Sequence, residues 1–109
     1  MPYDEKLAER IRARLKNHAG LAEKKMFGGV GFMINGNMAC GVINEDLILR
    51  LSDDDFTSAM RKPDVRIFDV YGKAMQGWVL VAPGATRTAT ALNAWIAKGV
   101  KMATSLPAK

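Results

Sequence analysis

The chain has 109 residues, which suffices for one domain with a single hydrophobic core and no disulfide or metal. Apolar residues make up 49% and charged residues 25%, as in ordinary globular proteins, and the lone cysteine excludes an internal disulfide. No apolar run approaches the roughly 18 residues of a membrane span, and the charged start is unlike a signal peptide, so we expect a cytoplasmic protein. The net charge of +5 permits binding to nucleic acid without requiring it.

Apolar residues recur every four positions near the start of the chain, at Leu7, Ile11 and Leu15. This spacing places them on one face of a helix, which we predict over 4–18. Asp4 can serve as its N-cap, because a carboxylate there accepts hydrogen bonds from free backbone N–H groups.

Three strands are predicted next. Alternating apolar residues indicate a strand over 30–34, and Asn35-Gly36 is then a strong hairpin signal, because both residues tolerate a positive φ. The return strand spans 38–43, and a third strand spans 47–51 after a second turn. We therefore predict a three-stranded meander.

The two-residue turn sets the register that we predict for the first hairpin. Its predicted pairs are Val30 with Gly41, Gly31 with Cys40 and Met33 with Met38. Small residues then face each other where a helix can approach closely, so we interpret the glycines as packing residues.

This register leaves both faces of the hairpin apolar, with Met33, Met38 and Cys40 on one face and Ile48 extending it. The helices of a two-layer domain cover only one face of its sheet. We therefore expect Met33, Met38 and Ile48 to form an interface, covered by the C-terminal helix or by a second copy of the chain. A symmetric homodimer is the form of self-association that we favour.

The second half of the chain continues with helix and strand signals. Ser52 and Asp55 resemble a capping box, which starts a short helix. Strands are predicted over 65–71 and 77–82, and a last helix over 88–105. The inward stripe of that helix consists of Leu92, Trp95, Ile96, Gly99, Val100 and Ala103.

The predicted order of elements is α-β-β-β-α-β-β-α, in which hairpins link most strands. This order favours an α+β two-layer sandwich with an antiparallel five-stranded sheet, formed by one domain over 1–109.

The glycine-rich, uncharged segment 26–42 raises the question of a ligand site. It lacks the Lys-Ser/Thr of a P-loop, and a strand rather than a helix follows its glycines. Cys40 lies mid-strand in apolar surroundings, so we interpret it as a buried structural residue rather than a nucleophile. One cysteine and the only histidine, His18, do not make a tetrahedral metal site, and the carboxylates of 53–55 suit a helix start. We predict no catalytic, cofactor-binding or metal-binding residue, and no enzyme.

A basic stripe on the first helix is the feature that points to nucleic acid. Lys6, Arg10 and Arg14 recur every four residues, and Lys24 and Lys25 add charge nearby in the sequence. These five residues are candidate phosphate contacts. The alternative is a solvated outer face of the helix, and the sequence leaves both open.

The segment 25–31, Lys-Met-Phe-Gly-Gly-Val-Gly, is followed by Asn-Gly-Asn-Met-Ala at 35–39 and by a Gly-Trp step at 77–78. This pattern resembles the TfoX (Sxy) N-terminal domain family over nearly the whole chain. The residues that carry the motif, which we expect to be structural, are Met26, Phe27, Gly28, Gly29 and Gly31.

The resemblance implies an α+β sandwich and a regulatory role. Proteins named for the family are regulators of natural competence that promote transcription of DNA-uptake genes, and they continue into a second, helical domain that we expect this chain to lack. The family has no established catalytic residues. We therefore expect a non-enzymatic regulatory or interaction module that acts through an unidentified protein partner. The alternative is weak, non-specific nucleic-acid binding by the basic stripe.

Overall fold

The computed structural model describes residues 3–26, 28–69 and 73–108. The elements are α1 (Glu5–Leu15), β1 (Leu21–Met26), β2 (Gly29–Ile34), β3 (Asn37–Ile43), β4 (Asp46–Arg50), α2 (Asp53–Ala59), β5 (Val65–Ile67), β6 (Trp78–Val81) and α3 (Ala89–Ser105). The strands form one antiparallel sheet in the order β1-β2-β3-β4-β6-β5. Apolar residues of all three helices share one core cluster with the strands, so the α+β prediction is confirmed.

The sheet has six strands among the described residues, so the prediction of five is wrong. The additional strand is β1, which pairs with β2 from Leu21 opposite Ile34 to Met26 opposite Gly29. Its four central residues are exposed, because β1 is an edge strand with no layer over it. Without a buried face it shows no apolar alternation, which is the signal that strand prediction needs.

The turn of the β2–β3 hairpin is as predicted, but the strands beyond it are not. Asn35 and Gly36 have φ values of 53° and 84°, and Met33 lies opposite Met38. One extra residue on β3, Ala39, then forms a β-bulge. The pairs beyond the bulge are Phe32 with Cys40, Gly31 with Gly41 and Val30 with Val42.

The bulge also corrects the predicted position of Cys40. An inserted residue shifts every later side chain to the opposite face of the strand. Cys40 consequently packs with Phe32 in the core beneath the helices, while Met33 and Met38 belong to a cluster on the other face.

The helices begin at the residues that the sequence indicates. The side chain of Asp4 accepts hydrogen bonds from the backbone N–H groups of Lys6 and Leu7, and Ser52 accepts one from Asp55. In α3, the predicted inward stripe is buried at Leu92, Trp95, Ile96, Gly99 and Ala103, and Val100 is half-buried.

The face of the sheet away from the helices carries a second apolar cluster, which we call the outer-face cluster. Its buried members are Met38, Ile48, Phe68 and Leu80, and Met26, Met33, Ile43, Met75 and Trp78 pack against them. Of the two covers that the sequence left open, the C-terminal helix is wrong, because α3 packs on the opposite face against β3. Phe68 and Met75 instead reach it from the connection between β5 and β6, whose residues 70–72, including part of the predicted strand 65–71, lie outside the described residues.

Candidate functional site: a basic groove between two helices

An open concavity lies between the end of α1 and the middle of α3. Residues 13–18 line it on one side, and Ile96, Ala97, Val100 and Lys101 line it on the other. Its volume is about 630 Å³, within the usual range for binding pockets. We call it the α1–α3 groove.

The floor of the α1–α3 groove is apolar because the inward stripes of both helices meet there. Leu15 is the last member of the four-residue repeat of α1, and Ile96 belongs to the stripe of α3. Both are almost completely buried, and Val100 is half-buried beside them.

The rim of the groove is basic. Arg14 lies in the last turn of α1, where positive charge complements the helix dipole, and Lys16 and His18 come directly after the helix. Within the described part of the chain, the side chains of Arg14 and Lys16 make no hydrogen bond or ion pair. These two cations are therefore available to an anionic partner.

Lys101 supplies a further cation at the α3 side of the groove, and it is already paired. Its Nζ lies 2.8 Å from a carboxylate oxygen of Asp55, at the start of α2. The ammonium group of Lys101, aided by the hydroxyl of Ser52, holds the pKa of Asp55 below its ordinary value. An anionic ligand in the groove would compete with Asp55 for this lysine.

The predicted basic stripe of Lys6, Arg10 and Arg14 is exposed along α1, but only Arg14 lines the groove. Arg10 is exposed, and its guanidinium group donates a hydrogen bond of 2.8 Å to the carbonyl oxygen of Thr86, in the loop before α3. Lys6 is exposed near the start of α1, whereas Arg14 belongs to the groove at its end. Lys24 and Lys25 are exposed on the edge strand β1, outside the groove lining.

Arg12, also on α1, ties the helix to the edge strand. Its Nε lies 3.0 Å from the carboxylate of Glu23 in β1, and its Nη2 contacts the other oxygen of that carboxylate. The hydrogen bond from Arg12 lowers the pKa of Glu23.

The glycine-rich motif forms turns and strand contacts rather than a phosphate loop. Gly28 has a φ of 75° in the connection between β1 and β2, and a β-carbon on Gly29 would overlap the carbonyl oxygen of Val42. Gly31 lies against the side chains of Met26 and Met38. Phe27, the remaining motif position, lies outside the described residues.

The other candidates are placed as follows. Cys40 is fully buried, and burial raises the pKa of its thiol to about 12. Met38 and Ile48 of the expected interface are buried within the chain, and Met33 is half-buried. Among the described residues, no group of three His, Cys, Asp or Glu side chains could hold a metal ion, and no helix is long and apolar enough to cross a membrane.

Sequence reasoning missed the groove although it named Arg14. Lys16 and His18 follow the first predicted helix, and Lys101 borders the predicted inward stripe of the last one, so each was visible as a basic residue at the margin of an apolar face. What joins them is the placement of two helices from opposite ends of the chain, for which the sequence carries no local signal.

A family model described as the TfoX N-terminal domain matches residues 13–103. This range includes both sides of the α1–α3 groove and the glycine-rich motif. No curated protein and no solved structure matches the chain.

Proposed function

Because the chain belongs to the TfoX N-terminal domain family, we propose that it is a non-enzymatic regulatory module that acts by binding a protein partner. The observation that carries this proposal is the α1–α3 groove, an open surface with an apolar floor and two cations, Arg14 and Lys16, that make no hydrogen bond or ion pair with the described residues. An apolar centre with a polar rim is the usual anatomy of a protein-binding site.

The chemistry of the remaining candidates supports a binding role over catalysis. A cysteine nucleophile must be a thiolate with access to its substrate, and Cys40 is buried with a pKa of about 12. The three carboxylates at the start of α2 have structural roles. Asp55 pairs with Lys101, and Asp53 and Asp54 lie in the first turn, where the helix dipole favours negative charge.

The proposal is tested by photo-crosslinking in living cells of the host organism that naturally produces the protein. A benzophenone amino acid replaces Ala97, whose exposed side chain lines the groove. The matched control carries the same amino acid at Glu45, an exposed residue of the β3–β4 turn. That turn adjoins the start of α1, about 12 Å along the helix from the first groove residue, Ala13.

We expect a discrete adduct of the Ala97 variant that contains one host protein, and none of comparable yield from the Glu45 variant. The captured protein, once purified, must bind the unmodified chain in solution. Equal adduct yields from both positions, or no protein adduct at either position, would contradict the proposal.

A further inference from the structure

We propose that the α1–α3 groove binds an acidic, amphipathic helical segment of the partner protein. This inference rests on the proposed function and adds to it the site and the chemistry of the partner. It follows from two features of the groove, its floor and its rim.

The floor selects apolar side chains. Above the buried Leu15 and Ile96, the apolar surface that the groove exposes comes from Ala13, Ala97 and Val100, and a helix that places apolar residues at every third or fourth position can lay them into such a groove. Burial of those side chains against the floor supplies the attraction that does not depend on charge.

The rim selects negative charge beside those apolar residues. Arg14 and Lys16 have no partner among the described residues, and Lys101 can exchange the carboxylate of Asp55 for one on the ligand. Carboxylates that flank the apolar stripe of a bound helix would meet these cations at the margin of the groove. Such complementarity contributes mainly to specificity and to the rate of encounter.

The lining of the groove favours a peptide over nucleic acid. The described lining contains no Phe, Tyr or Trp ring on which a base could stack, its one ring being the imidazole of His18, and its apolar surface provides no contact for a phosphate backbone. Arg10, which would extend the cations along α1, is held by Thr86.

The test uses a fluorescent probe peptide of about 14 residues, with leucine at every third or fourth position and glutamate at most others. Its twin carries glutamine in place of each glutamate. Affinity is measured by anisotropy for the full chain, for the double variant Arg14→Gln/Lys16→Gln, and for the control Lys24→Gln/Lys25→Gln. The control removes the same charge from exposed positions on β1, and thermal melts establish that both variants are folded.

We expect the groove variant to bind the acidic peptide about tenfold more weakly than the unaltered chain, because two exposed charge contacts together account for about that factor. The control should change the affinity less than about twofold, and the glutamine twin should bind at least about tenfold more weakly. If both variants bound the acidic peptide equally weakly, the effect would come from net charge alone, and the groove would not be the binding site.

The remaining outcomes separate this inference from the proposed function. If a host protein crosslinks at Ala97 but the acidic peptide does not bind, the inference that the groove binds an acidic segment is wrong. The proposed partner-binding role would then still hold. Binding of the acidic peptide in the groove without any host crosslink would overturn the proposed function. A DNA duplex of about 20 base pairs that binds more tightly than the peptide, and loses that affinity in the groove variant, would overturn the peptide as occupant.

Discussion

Gly99 of α3 lies so close to β3 that a β-carbon there would overlap the carbonyl oxygen of Ala39. Ala39 is the bulge residue of β3, so the bulge and the glycine together set how closely the helix approaches the sheet. The same approach fixes Ile96 and Val100 as one side of the α1–α3 groove, because they lie on the adjoining turn of α3.

Substitution of Gly99 by alanine should therefore destabilise the protein by about 2–4 kcal/mol, through displacement of α3 from the sheet. The sign is diagnostic, since the same change in an exposed helix stabilises by about 1 kcal/mol. Chemical denaturation measures the free energy of unfolding. Gly28→Ala is the control: its φ of 75° is strained for alanine, but beyond its chain neighbours no described residue has an atom within 4 Å of the new carbon, so we expect a cost of only about 1 kcal/mol. Equal costs at the two positions would contradict the close approach.

Cys40 should be unreactive in the folded protein and should make stability fall at alkaline pH. Burial raises the pKa of its thiol from 9.0 to about 12, so the native state keeps a proton that the unfolded chain releases. This contribution is complete below pH 9 and is lost as the pH rises toward 12. Between pH 8 and 10 the wild type should lose about 1 kcal/mol more stability than Cys40→Ala, as measured by urea unfolding. A thiol that reacts with a chromogenic disulfide at pH 8 as fast in native protein as in denaturant would show that Cys40 is accessible.

The ion pair between Asp55 and Lys101 should make a small contribution that acid removes. The pKa of Asp55 is lowered in the folded protein, so its charged form stabilises the fold. This contribution to the free energy of unfolding is complete above about pH 5, and it is lost as the pH falls through the pKa of the folded state. Lys101 is well exposed, so solvent screens the pair and we expect a coupling of about 0.5 kcal/mol in a double-mutant cycle. Asp54→Asn serves as control, because this exposed neighbour forms no ion pair with any described residue. If Asp54→Asn and Asp55→Asn had equal effects on acid unfolding, the ion pair between Asp55 and Lys101 would not contribute to the acid sensitivity.

The outer-face cluster should stabilise the monomer rather than a dimer. The sequence favoured a dimer through Met33, Met38 and Ile48, but Met38 is 5% and Ile48 1% exposed within a single chain. We expect sedimentation at micromolar concentration to give the monomer mass of 11.9 kDa. Met38→Lys should cost about 2–4 kcal/mol of stability because it buries a charge, and the half-buried Met33→Lys should cost less than half of that. A dimer that dissociates on Met33→Lys in a folded chain would restore the predicted interface.

Local signals in the sequence were sufficient for the starts of the helices and for the turn between β2 and β3. Asp4, Ser52 and Thr88 cap the helices because short polar side chains there accept free backbone N–H groups, and Asn35-Gly36 forms a turn because both residues tolerate a positive φ. These effects involve neighbours in the chain, which is why they could be predicted.

Features that depend on distant parts of the chain could not be predicted in the same way. The strand β1 has no buried face to give it a pattern, and the bulge at Ala39 reflects the fit between β3 and α3 rather than the turn beside it. The groove joins Arg14 to Lys101 from opposite ends of the chain. Arg10 belonged to a regular stripe in the sequence, yet Thr86, brought near it by the fold, takes up its guanidinium group.

The most direct test of the central claim, that the α1–α3 groove is the site of partner binding, is a map of amide chemical shifts. The isotopically labelled chain is titrated with the acidic peptide and with its glutamine twin. We predict that the acidic peptide shifts the amides of residues 13–18 and 96–101, and that the twin does so only at much higher concentration. Shifts centred on β1 or on the outer-face cluster, or a spectrum that the acidic peptide leaves unchanged, would contradict the account.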